Sequence, residues 1–145
     1  MSCKLCERVK SILQNRSPEL VHEFANSILI VGDHQFFSGY CVLIQKDHHR
    51  EMHEMSKADQ LQLCEDLMLS AQAIAQEFKP WKMNQASLGN QDPHVHWHLF
   101  PRYENDPNHR NHPWTDSNRF NELKTTEQLA TQVAERLRKH FHLSV

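Results

Sequence analysis

His94, His96 and His98 occupy every second position of the segment His94-Val95-His96-Trp97-His98-Leu99-Phe100. Alternate side chains of an extended strand share a face, so this spacing sends three imidazoles to one side and Val95, Trp97 and Leu99 to the other. At about 3.3 Å per residue, neighbouring imidazoles lie about 6.6 Å apart, close enough for two of them to touch one phosphate. A neutral imidazole is a nucleophile at pH 7, since its unperturbed pKa is about 6.5, and its second nitrogen can be held by a main-chain carbonyl. A competing chemistry is a zinc hydrolase that uses His94 and His98 as ligands to a water-activating ion, for which Asp92 is the only carboxylate within three residues upstream of the row. The plain structural alternative is a surface strand with solvated histidines and a buried back face.

The rest of the composition narrows the setting. Histidine supplies 12 of 145 residues, whereas there are only four cysteines, Cys3, Cys6, Cys41 and Cys64. Lysine and arginine number 16 against 18 acidic residues, so no basic field exists to hold nucleic acid. The longest apolar runs, Ile28 to Val31 and Tyr40 to Ile44, fall far short of the about 18 residues that a membrane helix needs. Lys4, Glu7, Arg8, Lys10 and Arg16 interrupt the start of the chain, which leaves no apolar core for a secretory signal and points to the cytoplasm. Reduced thiols follow from that compartment, and Cys41 and Cys64 then read as core thiols.

These residues need elements to carry them. The length predicts one domain over 1–145: a core over 1–103, a loop over the cleft at 104–124, and a C-terminal helix over 125–143. Leu5, Val9, Ile12 and Leu13 predict a short first helix that ends at Asn15-Arg16-Ser17-Pro18. Leu20 to Phe24 and Ser27 to Val31 predict a hairpin, and Tyr40 to Gln45 a third, central strand. Ser56-Lys57-Ala58-Asp59 predicts the start of the main helix, whose apolar residues from Leu61 to Phe78 recur at three and four until Pro80 stops them. Trp81 to Ala86 and His94 to Tyr103 predict two further strands. Asn105 to Asn121 has no period, and Leu129, Val133, Leu137 and Phe141 mark the last helix. The fold class is therefore α+β, an antiparallel sheet of about five strands with two main helices on one face.

The alternating row followed by two apolar residues resembles the signature of the histidine triad superfamily of nucleotide hydrolases and transferases. The likeness runs from Cys3-Lys-Leu-Cys6 through Gly39-Tyr-Cys-Val-Leu-Ile-Gln-Lys-Asp-His48 to Pro101-Arg102-Tyr103. Asn84-Gln-Ala-Ser-Leu-Gly-Asn-Gln-Asp-Pro93 looks like the phosphate loop of a bacterial branch, and Asp106-Pro107 with His112-Pro113-Trp114 like its continuation. The resemblance implies a homodimer and chemistry on the α-phosphate of dinucleoside polyphosphates or nucleoside phosphoramidates. His96 would attack phosphorus and carry a nucleotidyl group, His98 would contact phosphate and leaving-group oxygens, and His94 would stand beside them. Asn84 and Gln91 would supply neutral donors to developing charge. The chain departs from the pattern at Tyr40, where many members carry histidine; a tyrosine there still donates one hydrogen bond to a substrate. A zinc-stabilised nucleotide-binding module with little turnover is the alternative from outside the enzymes.

Cys3-x2-Cys6 alone is half a tetrahedral site, which two thiols on a short helix would also explain. Some branches of the family hold a structural zinc with such a pair, a histidine just after the third strand, and the first histidine of the triad. The resemblance thus implies Cys3, Cys6, His48 and His94 as ligands, with His48 preferred to His49 and His53 by its place four residues before Met52. Arg102 either binds phosphate or caps the sheet edge, and Trp81 and Trp114 either pack or stack on a base.

Overall fold

The computed structural model describes residues 2–141. Helix α1 (Lys4–Asn15) buries Leu5, Val9 and Ile12 and ends where Arg16 turns left-handed, with φ 49°. Strands β1 (Leu20–Glu23), β2 (Ser27–Val31) and β3 (Cys41–Gln45) follow, then helix α2 (Lys57–Phe78), strands β4 (Lys82–Ala86) and β5 (His96–Arg102), and helix α3 (Glu127–Arg138). The strands form one antiparallel sheet in the order β1-β2-β3-β5-β4, so β3 is central as predicted and β4 is an edge. β2 and β3 are buried at every position, which is why their sequences read as continuous apolar runs.

Each face of the sheet has its own core. Leu29, Val31, Leu43, Val95 and Leu99 pack with Leu63, Leu67 and Ile74 of α2 and with Val133, Ala134 and Leu137 of α3. This is the predicted pair of main helices on one face. Ile28, Ile30, Val42, Ile44 and Phe100 meet Leu5, Val9 and Ile12 of α1 on the other. That second face also carries His96 and His98, because they share the even positions of β5 with Phe100.

The helix starts obey the expected chemistry. Asp59 N donates to Ser56 Oγ at 3.1 Å to cap α2, and Leu129 N donates to Thr126 Oγ1 at 3.2 Å to cap α3. Three expectations need correction. Residues 104–124 are not loop throughout, because Pro113–Leu123 winds as 3-10 helix with a kink at Asp116; its three-residue repeat, opened by proline, leaves no helical period in the sequence. Cys64 is exposed rather than a core thiol, because α2 turns Leu63, Leu67 and Ile74 inward and Leu61, Cys64 and Met68 outward. The last helix ends at Arg138 rather than 143, and residues 142–145 lie outside the described residues.

A candidate active site beside a candidate metal centre

The strand that carries the triad begins at His96, two residues later than predicted. His94 therefore lies just before the strand, while Val95 packs in the same core as Trp97 and Leu99, as the alternation predicts. Val95 N donates to His49 O at 2.8 Å and Val95 O accepts Gln45 N at 3.1 Å, so the end of β3 and the loop after it hold the chain at 94–95. His94 Nε2 lies 2.6 Å from Gln45 O. A carbonyl can only accept, so Nε2 carries the proton and Nδ1 presents its lone pair.

That lone pair points into a cluster. Cys3 Sγ is 3.4 Å and Cys6 Sγ 3.5 Å from His94 Nδ1, His48 Nδ1 is 3.3 Å from it, and Cys6 Sγ is 3.5 Å from His48 Nδ1. All four donor atoms lie within 4.8 Å of one another, and neither His49 nor His53 joins them. Bonds of about 2.3 Å to sulfur and about 2.0 Å to nitrogen in a tetrahedron require donor separations of about 3.3–3.8 Å. Four of the six donor separations, at 3.3–3.5 Å, fit one zinc-sized ion. Burial and the adjacent Cys3 thiol push the Cys6 thiol up, a cost that a divalent cation between the sulfurs reverses.

His96 is tied to the same cluster through the main chain. Its Nδ1 lies 2.6 Å from His94 O, so Nδ1–H donates and Nε2 is left with a lone pair. One residue thus offers a side chain to the metal group and a carbonyl to the central imidazole. Ser87 Oγ donates to His96 O at 2.7 Å and fixes the loop before β5 against the strand.

His98 is positioned from below. Tyr40 Oη is 2.7 Å from His98 Nδ1, and burial drives the Tyr40 phenol far above its ordinary pKa, so it stays a hydroxyl. With Tyr40 donating, Nε2–H of His98 becomes a donor. Tyr40 is only 5% exposed, so it supports His98 from behind and does not itself line the cleft. Its ring lies against Gly32, where any side chain would collide with it. Gln35 fixes the turn that leads into it, since Nε2 donates to Tyr40 O at 2.9 Å and Oε1 accepts Gly39 N at 2.9 Å.

His96 and His98 open on a cleft of about 440 Å³, lined also by Asp33, Gln91 and Trp114. Gln91 is where the sequence suggests. Asn84 is not: its Oδ1 accepts Arg102 Nη1 at 2.9 Å, and it lines a neighbouring groove. Arg102 is fully buried, its guanidinium taken up by Asn84, Asp106, Asn108 and Asn111. The sequence reading missed Asp33, whose only sign was a Gly-Asp pair closing β2; it lines the cleft and pairs with Arg8 at 2.7 Å. Trp114 meets His98 edge-on at 5.3 Å.

Burial holds His98 and His34 at a pKa of about 4, so both rings are neutral in the folded protein. Unfolded histidine titrates at about 6.5, so between pH 6.5 and 4 only the unfolded chain takes up these protons. Stability is then fully present above pH 6.5 and falls as pH drops toward 4, by up to about 3 kcal/mol per histidine. Thermal melts across this range are expected to show that slope. His34 stacks on Phe120 at 3.9 Å and on Tyr40 at 4.6 Å, so His34→Phe should keep the stack and flatten the slope; an unchanged slope would refute the assignment.

The model of the HIT domain family matches residues 14–105, well over half of the chain. The chain belongs to the HIT domain family. A search of curated proteins returned no match to this HIT protein. Among solved structures, it is similar to a histidine triad protein from Marinobacter aquaeolei VT8, with 20% identity, 98% of each chain covered and a TM-score of 0.75. A Zn-bound histidine triad family protein from Mycobacterium smegmatis is 17% identical, covering 98% of this chain and 94% of its own, with a TM-score of 0.69. Diadenosine triphosphate hydrolase from Plasmodium falciparum, solved with cyclomarin A, is 14% identical over 86% of this chain and 77% of its own, with a TM-score of 0.63. At these identities the likeness is one of fold.

Proposed function

We propose that this HIT protein is a nucleotide hydrolase or nucleotidyl transferase that works through a nucleotidyl-His96 intermediate, on dinucleoside polyphosphates or nucleoside phosphoramidates. The observation that carries the reading is the 2.6 Å contact of His96 Nδ1 with His94 O, which leaves Nε2 unprotonated on a residue that lines the cleft. Nε2 attacks the α-phosphorus, a P–N bond forms, and the bond from phosphorus to the leaving half breaks. His98 Nε2–H donates to the phosphate or leaving-group oxygens, and Gln91 adds a neutral donor. Water then attacks phosphorus, the P–N bond breaks back to Nε2, and the nucleoside monophosphate departs with the water oxygen. A solved structure of like fold is a diadenosine triphosphate hydrolase, which supports this substrate class.

Cys3, Cys6, His48 and His94 would hold a structural zinc, which supplies cross-linking of α1 to the loops before β5 and after β3. Four protein donors complete a tetrahedron, so this site is closed to water, unlike a hydrolytic zinc. All four cysteines are free, which suits a reducing, cytoplasmic setting. No helix of the described residues is long and apolar enough to cross a membrane. The homodimer reading is supported by the edge strand β4 and by exposed Leu61, Cys64 and Met68 at spacings of three and four on α2.

Rapid acid quench after mixing with dinucleoside polyphosphate labelled on the α-phosphate tests the intermediate. Label is expected on His96 within the first turnover. Turnover with no protein-bound label would refute the covalent path, and tight binding without turnover would leave the binding module in its place.

A further inference from the structure

The 3-10 segment Pro113–Leu123 lies wholly beyond the family match, which ends at residue 105, yet it reaches one imidazole of the triad by two routes. At its start Trp114 meets His98 edge-on at 5.3 Å. Near its end Phe120 lies face to face with His34, with ring centres 3.9 Å and planes 18° apart. His34 stacks in turn on Tyr40 at 4.6 Å, and the Tyr40 hydroxyl is the donor 2.7 Å from His98 Nδ1.

Each link of the second route is held. His34 and Tyr40 are buried, and close packing leaves their rings little room to swing. The Tyr40 ring lies against Phe100 at 4.2 Å, against Gly32 and against His34. Two of those three walls are clamped to the end of the segment. Gln35 N donates to Leu123 O at 2.8 Å, Thr125 N to Asp33 O at 2.9 Å and Thr125 Oγ1 to Gly32 O at 2.6 Å, and His34 bridges to Lys124. A hydroxyl that selects a tautomer has to be placed within about 0.5 Å, since hydrogen bonds weaken steeply with poor geometry.

We infer that His34 and Phe120 are positioning residues of the triad: through their stack the Pro113–Leu123 segment holds Tyr40 in place and thereby fixes His98 in the tautomer that presents Nε2–H to the cleft. Neither ring lines that cleft. Without the stack Tyr40 tilts, and His98 divides between Nε2–H and Nδ1–H, of which the second offers a phosphate oxygen a lone pair instead of a donor. The effect on rate rests on the nucleotidyl-transfer reading of the triad; the effect on the tautomer does not.

Nuclear magnetic resonance of the full chain with its histidine nitrogens isotopically labelled reads the tautomer without any turnover, the His98 signals being those absent from His98→Asn. Native His98 should be Nε2–H alone. Phe120→Ala and the better-filling His34→Leu both end the stack, and each should show Nδ1–H beside Nε2–H, with melting temperature confirming the fold. In both, kcat for a dinucleoside polyphosphate should fall at least about tenfold with KM within about threefold, whereas the ring-keeping His34→Phe and Phe120→Tyr should match the native protein in tautomer and rate. A single Nε2–H form in a folded Phe120→Ala or His34→Leu protein overturns the inference, and so does a mixed tautomer that leaves kcat unchanged. A rise in KM at constant kcat also overturns it, making the segment a wall of the binding cleft. Absence of turnover in the native protein counts against the reading of the triad instead, and the tautomer alone then decides the stack.

Discussion

His96→Ala should lower turnover of a dinucleoside polyphosphate by at least about 10⁴-fold while nucleotide affinity stays within about tenfold. The split follows from what the side chain does. In the proposed reaction its Nε2 forms the bond to phosphorus, whereas His98 and Gln91, the groups proposed to meet the phosphate oxygens in the ground state, do not depend on the His96 ring for support. His98 keeps its orientation from Tyr40, the residue just before β3. Single-turnover kinetics and equilibrium binding on the same preparation check both halves. Retained turnover would remove His96 as nucleophile, and a loss of binding equal to the loss of rate would make it a ground-state contact.

Removing the metal is expected to cost both stability and rate. Purified protein should contain about one zinc per chain, and chelation or Cys6→Ser should lower the melting temperature by roughly 10 °C or more, because binding free energy at such a site is folding free energy. The rate of what remains folded should fall on the order of 100-fold, the cost of displacing a reacting group by about 1 Å. The route is short: His94 Nδ1 joins the donor cluster, and His94 O receives the proton of His96 Nδ1. Cobalt or cadmium in place of zinc should leave the pH profile of turnover in place, since the ion meets no substrate. A profile that moves with each metal would assign the chemistry to the ion, and full stability without any metal would dissolve the site.

How far the sequence predicted all this depended on whether local rules decided each position. Helix α2 was legible because Ser56 caps it and Pro80 follows its end. The exposure of Cys64 was not, because α2 has apolar residues at helical spacing on both its faces and periodicity does not say which one meets the sheet. The triad was legible as a pattern, with Val95, Trp97 and Leu99 in one core as the alternation predicts, but the start of its strand was not: the hydrogen bonds of Val95 to His49 and Gln45 are long-range, and β5 begins only at His96. Asn84 sat in the right strand and was claimed by Arg102, a partner 18 residues away. Cys3 and Cys6 lie before the matched family region, and α1 packing on the histidine face brings them to His48 and His94.

The buried Arg102 also bears on how the sheet edge assembles. Asn84 lies opposite Phe100, and Lys82 opposite Arg102, in the β4–β5 pairing. A slip of one residue would turn Asn84 to the other face of the sheet and strip the guanidinium of an acceptor where water cannot replace it. Losing a buried hydrogen bond to a charged group costs about 1.5–3 kcal/mol, a sizeable share of a domain's whole stability. Arg102 therefore rejects misaligned pairing of the edge strand. The same guanidinium also holds the carbonyls of Asn108 and Asn111. Fraying of the edge strand is therefore expected to raise amide exchange in the 106–111 segment.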